Sequence, residues 1–200
     1  MSKQRYGSKL LLLNDGRALD VGDGYTACQG ECSGFPPESS SSVYADLFDP
    51  ATNTWTASSG LNANRSNYAA VVLHDGRALA AGGYADPPYA CFSSTKLFDE
   101  ATGTWTQATG LSNWARCDPA YALLSDGRVL LAGGADVTYP HKPLSNAEIY
   151  DQATQQWSMT GSMPAARIGG QAVTLKSGKV LVVASGICCK SVTAWAPPLR

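Results

Sequence analysis

Four arginines stand in one register. Arg5, Arg65, Arg116 and Arg167 each precede by ten residues an Asp-Gly or Ser-Gly turn, at 15, 75, 126 and 177. A guanidinium is a planar fork of donors that suits a carboxylate or a set of carbonyls. Arginines at equivalent points of repeated units either ring a channel mouth and take an acidic group, or hydrogen-bond loop carbonyls between units. Strict repetition favours the structural role, since a residue present in every unit serves the unit. Cysteine is the second reactive type. Cys28, Cys32, Cys91, Cys117, Cys188 and Cys189 make six, an even number that permits pairing. The alternative is six ordinary thiols. His74 and His141 are the only histidines. Asn64-Arg65-Ser66 reads as a glycosylation sequon, a triplet that also arises often by chance.

Other chemistries find little support. There is no Gly-x-Ser-x-Gly elbow, and Ser39 to Ser42 form a polar run rather than a nucleophile context. Glu31, Glu38, Asp86 and Asp136 lie in long polar stretches, where solvated loop acids are the ordinary outcome. Aromatic residues are more suggestive. Tyr25, Phe35, Tyr84, Tyr89, Phe92 and Tyr139, joined by Trp114, fall in those stretches and can furnish a binding face. They can equally pack on one another to order the loops.

The elements that position these residues follow from repetition. Asp75-Gly76-Arg77-Ala78-Leu79, Gly82-Gly83, Leu97-Phe98-Asp99 and Trp105 recur as Asp126-Gly127-Arg128-Val129-Leu130, Gly133-Gly134, Ile149-Tyr150-Asp151 and Trp157. Asp15-Gly16-Arg17-Ala18-Leu19, Leu47-Phe48-Asp49 and Trp55 are an earlier copy, and Ser177-Gly178-Lys179-Val180-Leu181 begins a fourth. The turns step by 60, 51 and 51 residues. Within a unit, Tyr68 to Leu73 predicts a short buried strand. Asp75-Gly76 predicts a hairpin turn and Arg77 to Ala81 the return strand. Gly82-Gly83 ends that strand, and a polar loop follows. Ser94 to Phe98 predicts the third strand, and Thr104-Trp105-Thr106 opens the fourth. No long 3.6-residue apolar period appears, so no substantial helix is expected.

This string resembles the kelch repeat in its bacterial form, the repeat that also builds the central propeller of galactose oxidase. The resemblance implies an all-β, kelch-type β-propeller of four-stranded antiparallel blades. Repeats at about 5–58, 65–109, 116–160 and 167–200 then form a single domain, with the last blade incomplete. Roughly fifteen strands are expected. Closure is open: four units can form a small ring, two chains can form an eight-bladed ring, or the chain is an open arc with exposed edges.

Blade topology places Cys28, Cys32, Cys91, Cys188 and Cys189 between second and third strands, and Cys117 in the loop leading into the third blade. These loops share one face. Adjacent blades carry Cys91 and Cys117, so a Cys91–Cys117 disulfide is predicted. Cys28–Cys32 can close a small local ring, and Cys188–Cys189 is a vicinal disulfide or a pair of thiols. Cys28-x3-Cys32 with Cys188-Cys189 can form a thiolate zinc site only if blades one and four meet, and the spacing departs from the usual two residues, so no metal is expected. The galactose oxidase likeness brings copper chemistry to mind. Its site uses paired tyrosines, paired histidines and a cysteine crosslinked to a tyrosine. Here His74 and His141 fall on opposite faces, so no copper or other cofactor is expected.

The expected function is therefore a binding or interaction module using the loops of one face, with no catalytic site of its own. Candidate binding residues are Arg5, Arg65, Arg116, Arg167, Tyr84, Tyr89, Trp114 and Tyr139. The ligand is a protein or a carbohydrate. The alternatives are part of a larger secreted galactose-oxidase-like enzyme, or a structural remnant. Net charge is −1 with no basic run, which argues against nucleic acid and membrane surfaces. Apolar residues at 44% can support a core, and 20 glycines and 11 prolines suit a turn-rich β chain. Leu10 to Leu13 is the longest strongly apolar stretch, and Met1 to Gly7 reads as no signal peptide. Cysteine usage instead suggests an oxidising compartment, extracellular or periplasmic.

Overall fold

The structure is a computed structural model that describes residues 8–22, 44–61, 63, 65–85, 90–108, 114–136, 142–185 and 190–195. The described residues form strands and turns only. The first sheet runs β1 (Lys9–Leu12), β2 (Ala18–Val21), β3 (Ala45–Asp49) and β4 (Thr54–Ser58) in sequence order. The second holds β5 (Ala69–Val72) and β6 (Ala78–Ala81). A two-stranded hairpin of β7 (Tyr84–Ala85) and β8 (Ala90–Cys91) then interrupts it, before β9 (Thr95–Asp99) and β10 (Thr104–Gln107) complete it. The third sheet is β11 (Ala120–Leu123), β12 (Val129–Ala132), β13 (Ala147–Asp151) and β14 (Gln156–Thr160). The fourth is β15 (Gly170–Thr174), β16 (Val180–Ser185) and β17 (Lys190–Trp195). All pairings are antiparallel, and each sheet is one blade of kelch-propeller type. Among the described residues the sheets do not close a ring. The expected fifteen strands become seventeen among the described residues, because the stretch after Gly82-Gly83, read as a polar loop, folds into the β7–β8 hairpin.

The repeated residues each close a turn. Asp15, Asp75 and Asp126 accept the backbone N–H of the arginine two residues on, at 2.9, 3.1 and 3.1 Å, and fix the hairpin between first and second strands. The arginine side chain folds back on the same carboxylate, and Arg128 holds Asp126 below the usual carboxylate range. Arg17 also donates to Glu100 O of the next blade at 2.9 Å. At the following turn Asp49, Asp99 and Asp151 accept the N–H of Ala51, Ala101 and Ala153, each at 2.8 Å. The repeated aromatic packs on the repeated tryptophan. Phe48–Trp55, Phe98–Trp105 and Tyr150–Trp157 have ring centroids 5.1, 5.3 and 5.2 Å apart.

The core lies between blades, not within one. Period-2 alternation gives every sheet two apolar faces. One face of blade one (Leu11, Leu19, Val21, Leu47) covers Ala70, Ala78, Ala80, Phe98 and Trp105 of blade two. Blade two repeats this with Leu79, Ala81 and Leu97 over Val129, Leu131, Tyr150 and Trp157 of blade three. Ala122, Leu130 and Ala132 of blade three then cover Val180 and Val182 of blade four. Each fully buried leucine or phenylalanine contributes about 1.5–3 kcal/mol, so the stack rests on these three interfaces. They differ in one polar detail. Trp157 Nε1 donates to Thr95 Oγ1 across its interface at 2.8 Å, whereas Trp105 Nε1 finds no protein acceptor across its own.

Candidate functional site

The described residues that follow the second strands, such as 82–83 and 133–134, and those that lead into the first strands, such as 65–67 and 116–118, gather at one end of the blades. Arg65, Arg116 and Arg167 lie beneath that surface. Arg65 is 1% exposed and Arg116 is fully buried. Arg65 Nη1 donates to Gly82 O and Ser94 O at 2.6 and 2.9 Å, and Nη2 to Ser94 Oγ at 2.6 Å. Its guanidinium stacks over Phe92, 4.3 Å from the ring centre. Arg116 repeats the pattern on Gly133 O and Asn146 O at 2.9 and 3.3 Å, and adds a fully buried ion pair with Glu148 at 2.5 Å. Burial pushes the Arg65 guanidinium down to about 10. Burial likewise lowers Arg116, against the opposing pull of Glu148. Arg167 is also buried. The carbonyls that Arg65 and Arg116 bind belong to the arginine's own blade, not to loops between blades. Each guanidinium ties the end of a second strand to the start of the third.

The link between blades uses the backbone of the same arginines. Gly83 N–H donates to Arg116 O, and Gly134 N–H donates to Arg167 O, both at 2.8 Å. This crossing explains the Gly-Gly pair. A Cβ on Gly134 would lie 2.5 Å from Cys117 O, and φ there is +91°, where side chains are strained. The disulfide adds a covalent link at the same place. Cys91, on β8 of blade two, bonds Cys117 ahead of blade three, with Cα atoms 5.1 Å apart. The pairing predicted from the register is the one formed.

Two residues after each of these arginines stand Asn67, Asp118 and Gly169, all with positive φ (48°, 50° and 58°). Asp118 N–H donates to Asn67 O at 3.0 Å and Gly169 N–H to Asp118 O at 3.1 Å, a backbone chain from blade to blade. Gly169 leaves room for the Asp118 carboxylate, since a Cβ there would sit 2.6 Å from Oδ2. Around this chain lies a cavity of about 290 Å³ lined by Asn67, Tyr84, Cys117, Asp118, Ala135 and Ile168. Burial raises the Asp118 pKa, and the Lys9 charge only partly offsets it. A second cavity of about 360 Å³, lined by Lys9, Tyr121, Gly170, Gln171 and Ala172, runs along the first strands. Lys9 Nζ lies 6.0 Å from the Tyr121 ring centre, so blades one, three and four all face this space.

The mouth therefore offers a half-buried carboxylate, a side-chain amide and an aromatic ring on a mostly apolar wall. That combination orients a ligand by a few hydrogen bonds. Of the expected binding residues, Tyr84 lines the cavity and Trp114 is exposed, while Arg65, Arg116 and Arg167 lie underneath. Arg5, Tyr89, Tyr139, Cys28, Cys32, Cys188 and Cys189 lie outside the described residues, as do Tyr25, Phe35, Glu31, Glu38, Asp86, Asn64 and His141. His74 sits at the opposite end, against Gly127 of the next blade's turn. Asn67, Asp118 and Lys9 carry no expectation from the sequence. One signal marks two of them: Asn, Asp and Gly, the residues that best tolerate positive φ, share one repeat position. Among the described residues, no three of His, Cys, Asp and Glu group so as to hold a metal ion.

The kelch motif family model matches residues 122–164, from β11 to just beyond β14. No curated protein matches the chain. The chain thus carries a kelch motif in its third blade; blade two repeats that motif's turns, aromatic pair and glycines, blade one its turns and aromatic pair, and blade four its first turn. The match is to the kelch repeat as such.

Proposed function

We propose that the chain is a kelch-repeat binding module that takes its ligand at the disulfide-braced mouth and performs no chemistry of its own. The observation that carries this reading is the cavity lined by Asn67, Tyr84 and Asp118 on a framework tied by buried arginines and the Cys91–Cys117 bond. Function concentrates on loops held by a rigid scaffold, and this is where successive blades differ. Trp114 extends the surface as an exposed aromatic anchor. The ligand class is a protein segment or a carbohydrate, either of which can place an apolar face on Tyr84 and hydrogen-bonding groups on Asp118 and Asn67. Tyr89 and Tyr139 are proposed as further contacts from their loop positions.

Selection from a displayed peptide library and a glycan array tests this directly. Ligands recovered with the native chain should lose at least tenfold in affinity against Tyr84→Ala, about 1.4 kcal/mol, and keep it against His74→Ala at the far end. Ligands that respond to His74→Ala and ignore Tyr84→Ala would overturn the assignment.

A further inference from the structure

The three blade interfaces are built alike, which defines what the two open faces of the stack lack. In blades two and three the face carrying the aromatic–tryptophan pair is sealed by the preceding blade. Phe98 and Tyr150 are fully buried there, and Trp105 and Trp157 nearly so. Blade one carries the same pair, Phe48–Trp55, in the same geometry but only partly buried. Leu10 and Leu12 beside it are 66% and 71% exposed, although their equivalents Ala70 and Val72 pack under blade one. Asp20 and Asp46 share that face but are buried and engaged, so the open part is apolar.

The opposite face of blade four shows the complementary lack. Leu13, Leu73 and Leu124 are buried, yet the equivalent Leu175 is 37% exposed. Val21, Ala81 and Ala132 are buried, yet the equivalent Val183 is 44% exposed, with Val173 at 53% beside it. Among the described residues, blade one thus presents a receiving face with nothing on it, and blade four a covering face with nothing under it.

We propose that a second copy of this chain docks the open face of its fourth blade on the open face of the first blade. Continuity with the established interfaces identifies the occupant. The same face type is covered three times within the chain by the same kind of partner face, and the fourth blade carries one such partner face with Val173, Leu175 and Val183 exposed. The contact is heterologous, one face type against another, rather than a face pairing with its own copy. It excludes water from Leu10, Leu12, Phe48 and Trp55 on one side and Val173, Leu175 and Val183 on the other.

Light scattering with two single-face variants tests this. Leu12→Lys spoils only the receiving face and Val183→Lys only the covering face. Both positions are already exposed, so thermal melts monitored by circular dichroism should match the native chain measured as a monomer. The native chain should self-associate with rising concentration, and each variant alone should stay monomeric. An equimolar mixture should form a 1:1 complex, because each variant retains the face the other needs. A native chain monomeric at every concentration would overturn the proposal, as occupancy by other blades or partners predicts. So would self-association retained by either variant alone, or a mixture that stays monomeric while the native chain associates.

Discussion

The two ends of the blades solve the same problem differently. At the Asp-Gly end, blades one to three carry the same device, an aspartate clasped by an arginine two residues on, at the surface. At the disulfide end, blades two and three each have their own. Arg65 uses Ser94 and the Phe92 ring, while Arg116 uses a buried Glu148, and a disulfide joins blades two and three. Exposed clasps contribute little individually, which is why one design serves in all three of these blades. A buried arginine must have its charge compensated locally, so the solution depends on what the neighbouring loop supplies. Repetition thus marks scaffold, and its breakdown marks the end where loops vary and a cavity opens.

The largest expected effect lies at the disulfide end. Glu148→Leu leaves Arg116 charged and buried, and should cost about 3–5 kcal/mol, seen as a fall in Tm of roughly 10 °C. A loss below about 1 kcal/mol would place Glu148 with the exposed clasps and erase the contrast. Next comes the disulfide. Cys91→Ser with Cys117→Ser should cost about 2–4 kcal/mol for a separation of 26 residues, read from denaturant midpoints. Free-thiol counting on denatured, non-reduced native chain should then find both cysteines unreactive. Gly134→Ala should lose at least about 1–3 kcal/mol from backbone strain alone, with further loss as Cys117 O is pushed aside. At the other end, Asp126→Ala removes an exposed clasp and should cost under about 1 kcal/mol.

The smallest effect has a sign that pH reveals. The Asp118 pKa is raised in the folded chain, so the native state holds its proton more tightly than the unfolded state does. Its ionisation therefore costs stability as pH rises from the ordinary carboxylate value through the raised one. Asp118→Asn keeps the left-handed backbone accessible and removes that cost. The variant should gain a few tenths of a kcal/mol at neutral pH, since the group is only half-buried, and nothing below the ordinary carboxylate range. A gain that persists at low pH would contradict the burial argument.

The repeat string made the blades, their order and their turn chemistry legible, because each repeated residue closes a local turn or interface. Register alone then brought Cys91 and Cys117 to neighbouring loops on one face. The Arg116–Glu148 pair was not legible. Its strand position holds Lys96 in blade two and Asp46 in blade one, so an alternating charged residue there looks like a solvent-facing one. The β7–β8 hairpin was hidden for a related reason. Two-residue strands carry no periodicity, and tertiary pairing of Ser66 with Tyr84 sets the hairpin beside the strand that leads into blade two. Asn67 and Asp118 drew no reading from the sequence, because only the backbone chain between blades places them around the cavity.

The central claim is that binding belongs to the end where the repeats diverge. Amide hydrogen exchange on the native chain, with and without a ligand recovered by display or glycan array, tests it most directly. The account predicts protection at Ser66–Tyr68, Tyr84–Ala85 and Cys117–Asp118, with the Asp-Gly turns at 15, 75 and 126 unchanged. Protection centred on those turns, with the mouth segments unaffected, would contradict it.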